Sequence, residues 1–148
     1  MSIKTILFPT DFSEASTSAF RSATEFARSS KARLLIVHVV VPVMPIIGGE
    51  VAYLPPIETD PSQLQALLER IVPEGPSLEY SHRLLEGDPA SEIVKLAKSE
   101  QVDMIVMGTT GRTGISRLLL GSTAEQVLRH APCPVLMVKQ PVKEPAQA

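Results

Sequence analysis

The chain has 148 residues, 44% hydrophobic and 20% charged, with a formal net charge of -2. That length suits one domain with a sizeable core, and nothing in the near-neutral charge favours a surface for nucleic acid or an anionic membrane. The single cysteine, Cys133, excludes an internal disulfide and suits a reducing compartment.

In chain order, Ile3 to Phe8 reads as a buried strand that Pro9-Thr10-Asp11 breaks. The opening Met1-Ser2-Ile3-Lys4 lacks a signal-peptide pattern, and no apolar run reaches about 18 residues, so a cytoplasmic protein without a spanning helix is expected. A helix is predicted from about Ser13 to Ser29, with Phe12, Ala15, Ala19, Ala23, Phe26 and Ala27 at helical spacing and Ser13 as N-cap. Arg33 to Val41 reads as a strand buried on both faces. From Pro42 to Pro61, prolines and glycines forbid a regular element, yet the stretch is apolar. The reading is an irregular loop that folds over a site or into a dimer contact, or else a mobile insertion.

Ser62 to Val72 is a short predicted helix with Leu64, Leu67, Leu68 and Ile71 on one face. Leu78 to Leu85 alternates in polarity and reads as a sheet-edge strand. Asp88 and Pro89 are the N-cap and first residue of a helix whose Ile93, Val94 and Ala97 face inward. Asp103 to Met107 is the fourth strand. Ser122 to Ala131 is the last helix, with Ser122-Thr123-Ala124-Glu125 fitting a capping box, and Pro132 ends it. Val135 to Val138 is the last strand. Residues 141–148 read as a tail after a domain of residues 1–140. Strands and helices alternate, which implies an α/β fold with an open parallel sheet and helices on both faces.

The stretch Gly108 to Thr123, GTTGRTGISRLLLGST, carries the chemistry. Gly108, Gly111 and Gly121 with Ser122 give the spacing G-x2-G-x9-G-[ST] between a strand and a helix N-terminus. Such a loop can approach a phosphate with backbone N–H groups and the positive end of a helix dipole. It is neither a Walker A loop nor a dinucleotide fingerprint. The plainer reading is that the glycines make turns and Ser122 caps its helix.

At these residues the chain resembles the nucleotide-binding branch of the universal stress protein family. Two further stretches carry the resemblance: Ile6-Leu7-Phe8-Pro9-Thr10-Asp11-Phe12-Ser13 and Pro132-Cys133-Pro134-Val135-Leu136-Met137-Val138. The resemblance implies a Rossmann-like five-stranded parallel sheet in the order 3-2-1-4-5. Its switch point would bring the Asp11 turn and the Gly108 loop to one cleft. It implies an ATP-binding signalling module of the stress response, with Mg²⁺ on the phosphates and a homodimer through the last strand, which would cover an apolar edge.

By the same resemblance the nucleotide contacts are Pro9, Thr10, Asp11, Val39, Met107, Gly108, Thr110, Gly111, Gly121, Ser122 and Thr123. Asp11 would face ribose or adenine, though it also suits a helix cap. Val39 and Met107 would line the adenine pocket, though they also suit plain core. Arg112 and Arg117 could reach phosphate oxygens but read more simply as solvated loop charges.

The sequence lacks a Walker A lysine and a second acidic motif, so at most slow hydrolysis is expected. His38, His82 and His130 share no metal-ligand spacing and read as structural or helix-terminal, and Cys133 reads as a small half-buried residue. Two other readings compete. One is a dimeric scaffold of the same fold without nucleotide, against which the intact glycine motif argues. The other is an adenine-nucleotide α-hydrolase-like enzyme, whose Ser-Gly-Gly-x-Asp-Ser or His-x-Gly-His motifs are replaced here by Pro-Thr-Asp-Phe-Ser.

Overall fold

A computed structural model describes residues 2–42, 46–47, 49–51, 60–110 and 120–140. The elements in order are β1 (Thr5–Pro9), α1 (Glu14–Ser30), β2 (Arg33–Val40), β3 (Ile46–Ile47), β4 (Glu50–Val51), α2 (Pro61–Glu69), β5 (Tyr80–Glu86), α3 (Pro89–Ser99), β6 (Met104–Gly108), α4 (Ser122–His130) and β7 (Val135–Val138).

Five of the strands form one parallel sheet in the order β5-β2-β1-β6-β7. Counting the strands of this sheet alone, that is 3-2-1-4-5, as the resemblance implies. Thr5–Pro9 pairs in register with Arg33–Val37 on one side, and Ile6–Leu7 pairs with Met104–Ile105 on the other. The order therefore reverses between β1 and β6, and the helices that follow them, α1 and α4, lie on opposite faces of the sheet, the arrangement that makes a switch point at the strands' carboxyl ends.

Strand alternation divides the core into two layers. Ile6, Phe8, Leu34, Ile36 and Val106 pack with Ala19, Ala23 and Ala27 of α1 and Leu68 of α2. Leu7, Leu35, Val37, Val39, Ile105 and Met107 pack with Ile93 and Ala97 of α3 and Ala124 and Val127 of α4. The central strands are buried on both faces, which is why β1 and β2 read as continuous apolar runs rather than alternating ones.

Ser13 caps α1, its Oγ accepting the Ser16 N–H at 3.3 Å. The inner face of α1 is an alanine stripe at i, i+4 spacing, Ala15, Ala19, Ala23 and Ala27, each 3% exposed or less. Small side chains bring that helix close to the sheet. Phe26, expected on this face, is instead 42% exposed: it adjoins Ala27 in the chain and so stands about 100° around the helix from that buried position.

Three boundaries differ from the sequence expectation. Within Pro42–Pro61, Ile46–Ile47 and Glu50–Val51 form an antiparallel hairpin. No proline lies between Pro45 and Pro55, so the amides needed for pairing are present, and Gly49 takes φ 80° at the turn. The expectation that this stretch covers a site or a dimer contact concerns residues largely outside the described ones. Helix α2 begins at Pro61, capped by Asp60, whose carboxylate accepts the Ser62 N–H at 2.9 Å, and it ends at Glu69. Only Leu64 and Leu68 are buried on it, while Leu67 is 43% exposed, because so short a helix seats a single i, i+4 stripe. The third difference, at the start of α4, bears on the site.

Candidate functional site

The turn after β1 is held from several directions. The Thr10 N–H donates to the Val37 carbonyl at 2.8 Å and extends the strand pairing by one residue. The Thr10 hydroxyl accepts the Phe12 N–H at 3.0 Å and shares a hydrogen bond with the Ser16 hydroxyl at 3.0 Å. Asp11 Oδ1 accepts the Ser13 N–H at 3.0 Å, closing an Asx turn into the helix. Asp11 therefore does shape the helix entry, as its plainer reading supposes. One oxygen of the carboxylate makes that bond.

The His38 ring reaches the Thr10 carbonyl through Nδ1 at 2.8 Å. A carbonyl only accepts, so the proton sits on Nδ1. Phe12 stands at φ 65°, a region rare for a bulky residue, with its ring centroid 4.4 Å from that of His38. His38, 9% exposed, is thus a brace of this turn, in line with its structural reading.

On the neighbouring strand, Gly108 ends β6 directly against the first turn of α1. A Cβ there would meet the Ala15 carbonyl oxygen at 3.2 Å and its Cβ at 3.5 Å. The sequence pointed to phosphate approach for this glycine; the structure gives it a packing reason as well. The Thr109 N–H then donates to the Val138 carbonyl at 3.2 Å, and the Gly121 N–H donates to the Thr109 carbonyl at 2.7 Å. That second bond pins the two ends of the loop 110–120 together. Gly111, Arg112 and Arg117 lie within this loop and outside the described residues.

Helix α4 starts differently from the expected capping box. Its N-cap is Gly121, at φ -62° and ψ 155°, and Ser122 is already the first helical residue. Gly121 has no side chain to cap with, and its carbonyl accepts the Glu125 N–H at 2.9 Å. The Glu125 carboxylate turns along the helix to Arg129 at 2.8 Å rather than back to the cap. Among the described residues no side chain caps the first turn, which leaves its amides and the positive dipole end of α4 without a side-chain acceptor there. Ser122 is exposed, and Thr110 and Thr123 are half-buried.

Val39 and Met107 are the next-to-last residues of β2 and β6 and lie in the layer between the sheet and α3 and α4, at 8% and 6% exposure. Ala90 and Ala124 share that cluster, and Leu85 and Leu120 pack against it. Their core role is plain. Pro9 is buried and Thr10 is 6% exposed. The topology brings the carboxyl ends of β1, β2 and β6 and the start of α4 together, which covers every described residue of the expected set. Sequence reasoning missed Ala15, whose carbonyl forces the glycine, and the Thr109–Gly121 bond, for which no local motif exists.

The remaining candidates fall elsewhere. His82 Nε2 meets the Ile71 carbonyl at 2.8 Å, a structural contact. His130 lines a cavity of about 460 Å³ between α3 and α4, with Asp88, Ser91, Lys95 and Gln126 among its walls. Cys133 is half-buried, and burial followed by the nearby Asp103 carboxylate pushes its thiol above the ordinary range, away from a nucleophilic thiolate. Among the described residues, no group of three His, Cys, Asp or Glu could hold a metal ion, and no helix is long and apolar enough to cross a membrane.

Residues 2–139 match the universal stress protein family. A universal stress protein of Methanocaldococcus jannaschii is 40% identical over 145 residues, covering 95% of this chain and 85% of the relative. The universal stress protein UspA from Lactobacillus plantarum superposes with a TM-score of 0.70 at 29% identity, covering 93% of this chain and 99% of that one. Two further structures share the fold. One is a universal stress protein in complex with cAMP (TM-score 0.62, 24% identity, 93% and 98% of the two chains). The other is a universal stress protein from Archaeoglobus fulgidus in complex with dAMP (TM-score 0.59, 23% identity, 94% and 100%).

Proposed function

We propose, from the premise that this chain belongs to the universal stress protein family, that it binds ATP in the crevice between the Asp11 turn and the start of α4. The observation that carries this reading is the Thr109–Gly121 hydrogen bond at 2.7 Å. It holds a helix N-terminus that has no side-chain cap among the described residues at the carboxyl edge of the sheet, after β6, the strand that pairs with β1 and its Asp11 turn. An anion is favoured there by the helix dipole and the first-turn amides.

The phosphates lie on Gly108, Gly111, Gly121, Ser122 and Thr123, with Thr110 adding a hydroxyl. Among the described residues no group of three acidic, His or Cys side chains could hold a metal ion, and Asp11 is engaged with Ser13, so the residues present fit Mg²⁺ through those phosphates. Asp11, with Pro9 and Thr10 as the wall, faces ribose or adenine. Val39 and Met107 form the apolar floor under the base. The adenine nucleotides held by the cAMP and dAMP complexes of the same fold support the class of ligand. Hydrolysis is slow, and occupancy acts as the signal in a homodimer formed through β7, whose half-buried Val135–Val138 ends the sheet.

Calorimetric titration of ligand-free protein with ATP, with and without Mg²⁺ and against AMP, tests the reading. ATP binding well above AMP is the expected result. Folded, empty protein that takes up neither nucleotide would leave a dimeric scaffold in its place.

A further inference from the structure

On the face of the sheet away from Val39 and Met107, a cavity of about 270 Å³ opens between α1 and the end of α2. Three of the chain's four phenylalanines, Phe8, Phe12 and Phe20, line it. Phe8 is 1% exposed, and its ring centroid stands 5.2 Å from that of Phe20 at a tilt of 44°. Phe12 presents its ring from a backbone at φ 65°, a strained conformation of the kind that collects at ligand sites and persists only where the surroundings fix it. Here the Thr10 hydroxyl and the His38 ring do the fixing.

The cavity is not uniformly apolar. The hydrogen-bonded hydroxyls of Thr10 and Ser16, 6% and 5% exposed, reach its wall. Arg70 stands at its rim. Arg33, Arg83, Lys95 and Arg129 each pair with a glutamate, whereas among the described residues Arg70 has no carboxylate partner. Aromatic walls select a flat ring, and an unpaired guanidinium at the mouth selects a carboxylate in a two-pronged contact. The volume lies below the roughly 300–1,000 Å³ usual for drug-sized ligands, so the occupant is a single ring with a short acid arm, not a nucleotide.

We propose that this cavity binds a small aromatic monocarboxylate, its ring among Phe8, Phe12 and Phe20 and its carboxylate on Arg70. The site lies on the other face of the sheet from the nucleotide base, since Phe8 packs in the α1 and α2 layer while Val39 and Met107 pack in the other, and the two sites adjoin at Thr10.

The test is titration of ¹⁵N-labelled protein with phenylacetate, followed by amide shifts, with benzyl alcohol as the neutral comparator. Saturable shifts confined to Thr10, Phe12, Thr17, Phe20 and Ile71 are expected, with benzyl alcohol binding more weakly. Arg70→Gln, at an exposed position, lowers phenylacetate affinity about tenfold and leaves benzyl alcohol unchanged. Thr17→Trp, which fills the cavity from an exposed position on α1, abolishes the shifts from both probes. Shifts that fail to saturate, shifts centred on the start of α4, or equal phenylacetate affinity in Arg70→Gln would each overturn the proposal.

Discussion

A Cβ built on Gly108 stands 3.2 Å from the carbonyl oxygen of Ala15, so the end of β6 and the first turn of α1 meet through a position that only glycine fits without movement. The contact joins the two stretches that flank the crevice. With the proposed nucleotide site, ligand binding and helix packing would both act on this one glycine, and a substitution there would report on both.

Gly108→Ala is therefore a stability variant before it is a binding variant. The obstacle is backbone, so α1 must shift by a few tenths of an ångström rather than a side chain swing aside. Overpacking of that size costs about 1–3 kcal/mol. Urea unfolding should show a lower midpoint with an unchanged slope. A midpoint equal to the parent chain's would mean that α1 is not seated as described.

Gly121→Val separates binding from folding more cleanly. At φ -62° and ψ 155° the backbone of Gly121 is open to any residue. The Glu125 N–H to Gly121 carbonyl bond survives the change, and the cost is a poorer N-cap, on the order of 1 kcal/mol. The isopropyl group would stand where the phosphates approach the first turn of α4. Calorimetry should find ATP binding lost while circular dichroism stays that of the parent. Retained affinity would remove the phosphates from this loop.

Much of this was legible in the chain because period and punctuation agreed with the tertiary structure. The alanine stripe of α1, the Asp88-Pro89 start of α3 and the doubly buried β2 follow from local rules, and local rules sufficed. The strand order came instead from the family resemblance, since nothing in a strand's own residues names its neighbours. The capping box fails because the helix starts one residue early: with Gly121 as N-cap, Ser122 is already helical and Ala124, not Glu125, holds the third position. The sequence places Phe12 at helical spacing with the alanines of α1 and in the stretch after β1 that carries the family resemblance. Its positive φ and its contact with His38 are set by Thr10 and β2, which lie outside any local window.

Asp11 can be divided by two substitutions. Asn keeps an oxygen to accept the Ser13 N–H at the entry to α1, while Ala removes it. Asp11→Asn should keep the parent thermal midpoint and lose ATP affinity about fivefold to tenfold, the worth of one charge-assisted hydrogen bond to ribose. Asp11→Ala should lose that affinity and, with the cap, about 1 kcal/mol of stability. If Asn binds as the parent does, Asp11 serves the helix alone.

The pH dependence of stability has an identifiable contributor at the opposite end of the sheet. Glu100, at the end of α3, bonds Arg33 of β2 at 3.0 Å and Arg83 of β5 at 2.9 Å, and Arg33 in turn donates to the Thr5 hydroxyl at 3.1 Å. The Arg33 hydrogen bond is the largest effect on the Glu100 carboxyl; burial, next in size, opposes it, and the charges of Arg83 and Arg33 with the Arg83 hydrogen bond leave the group below its ordinary range. A depressed carboxylate pKa adds stability that is present above the unfolded-state value, about 4.3, and is lost as pH falls through the folded one. All three side chains are partly exposed, so the network contributes about 1 kcal/mol at most, after solvent screening. Glu100→Gln should therefore be less stable than the parent at neutral pH by up to that amount, and the gap should close below about pH 4 and narrow in high salt. Paired urea titrations of parent and variant across that range measure it, other carboxylates cancelling in the difference. A gap that persists undiminished at low pH would assign the loss to packing at the end of α3 and not to the charge.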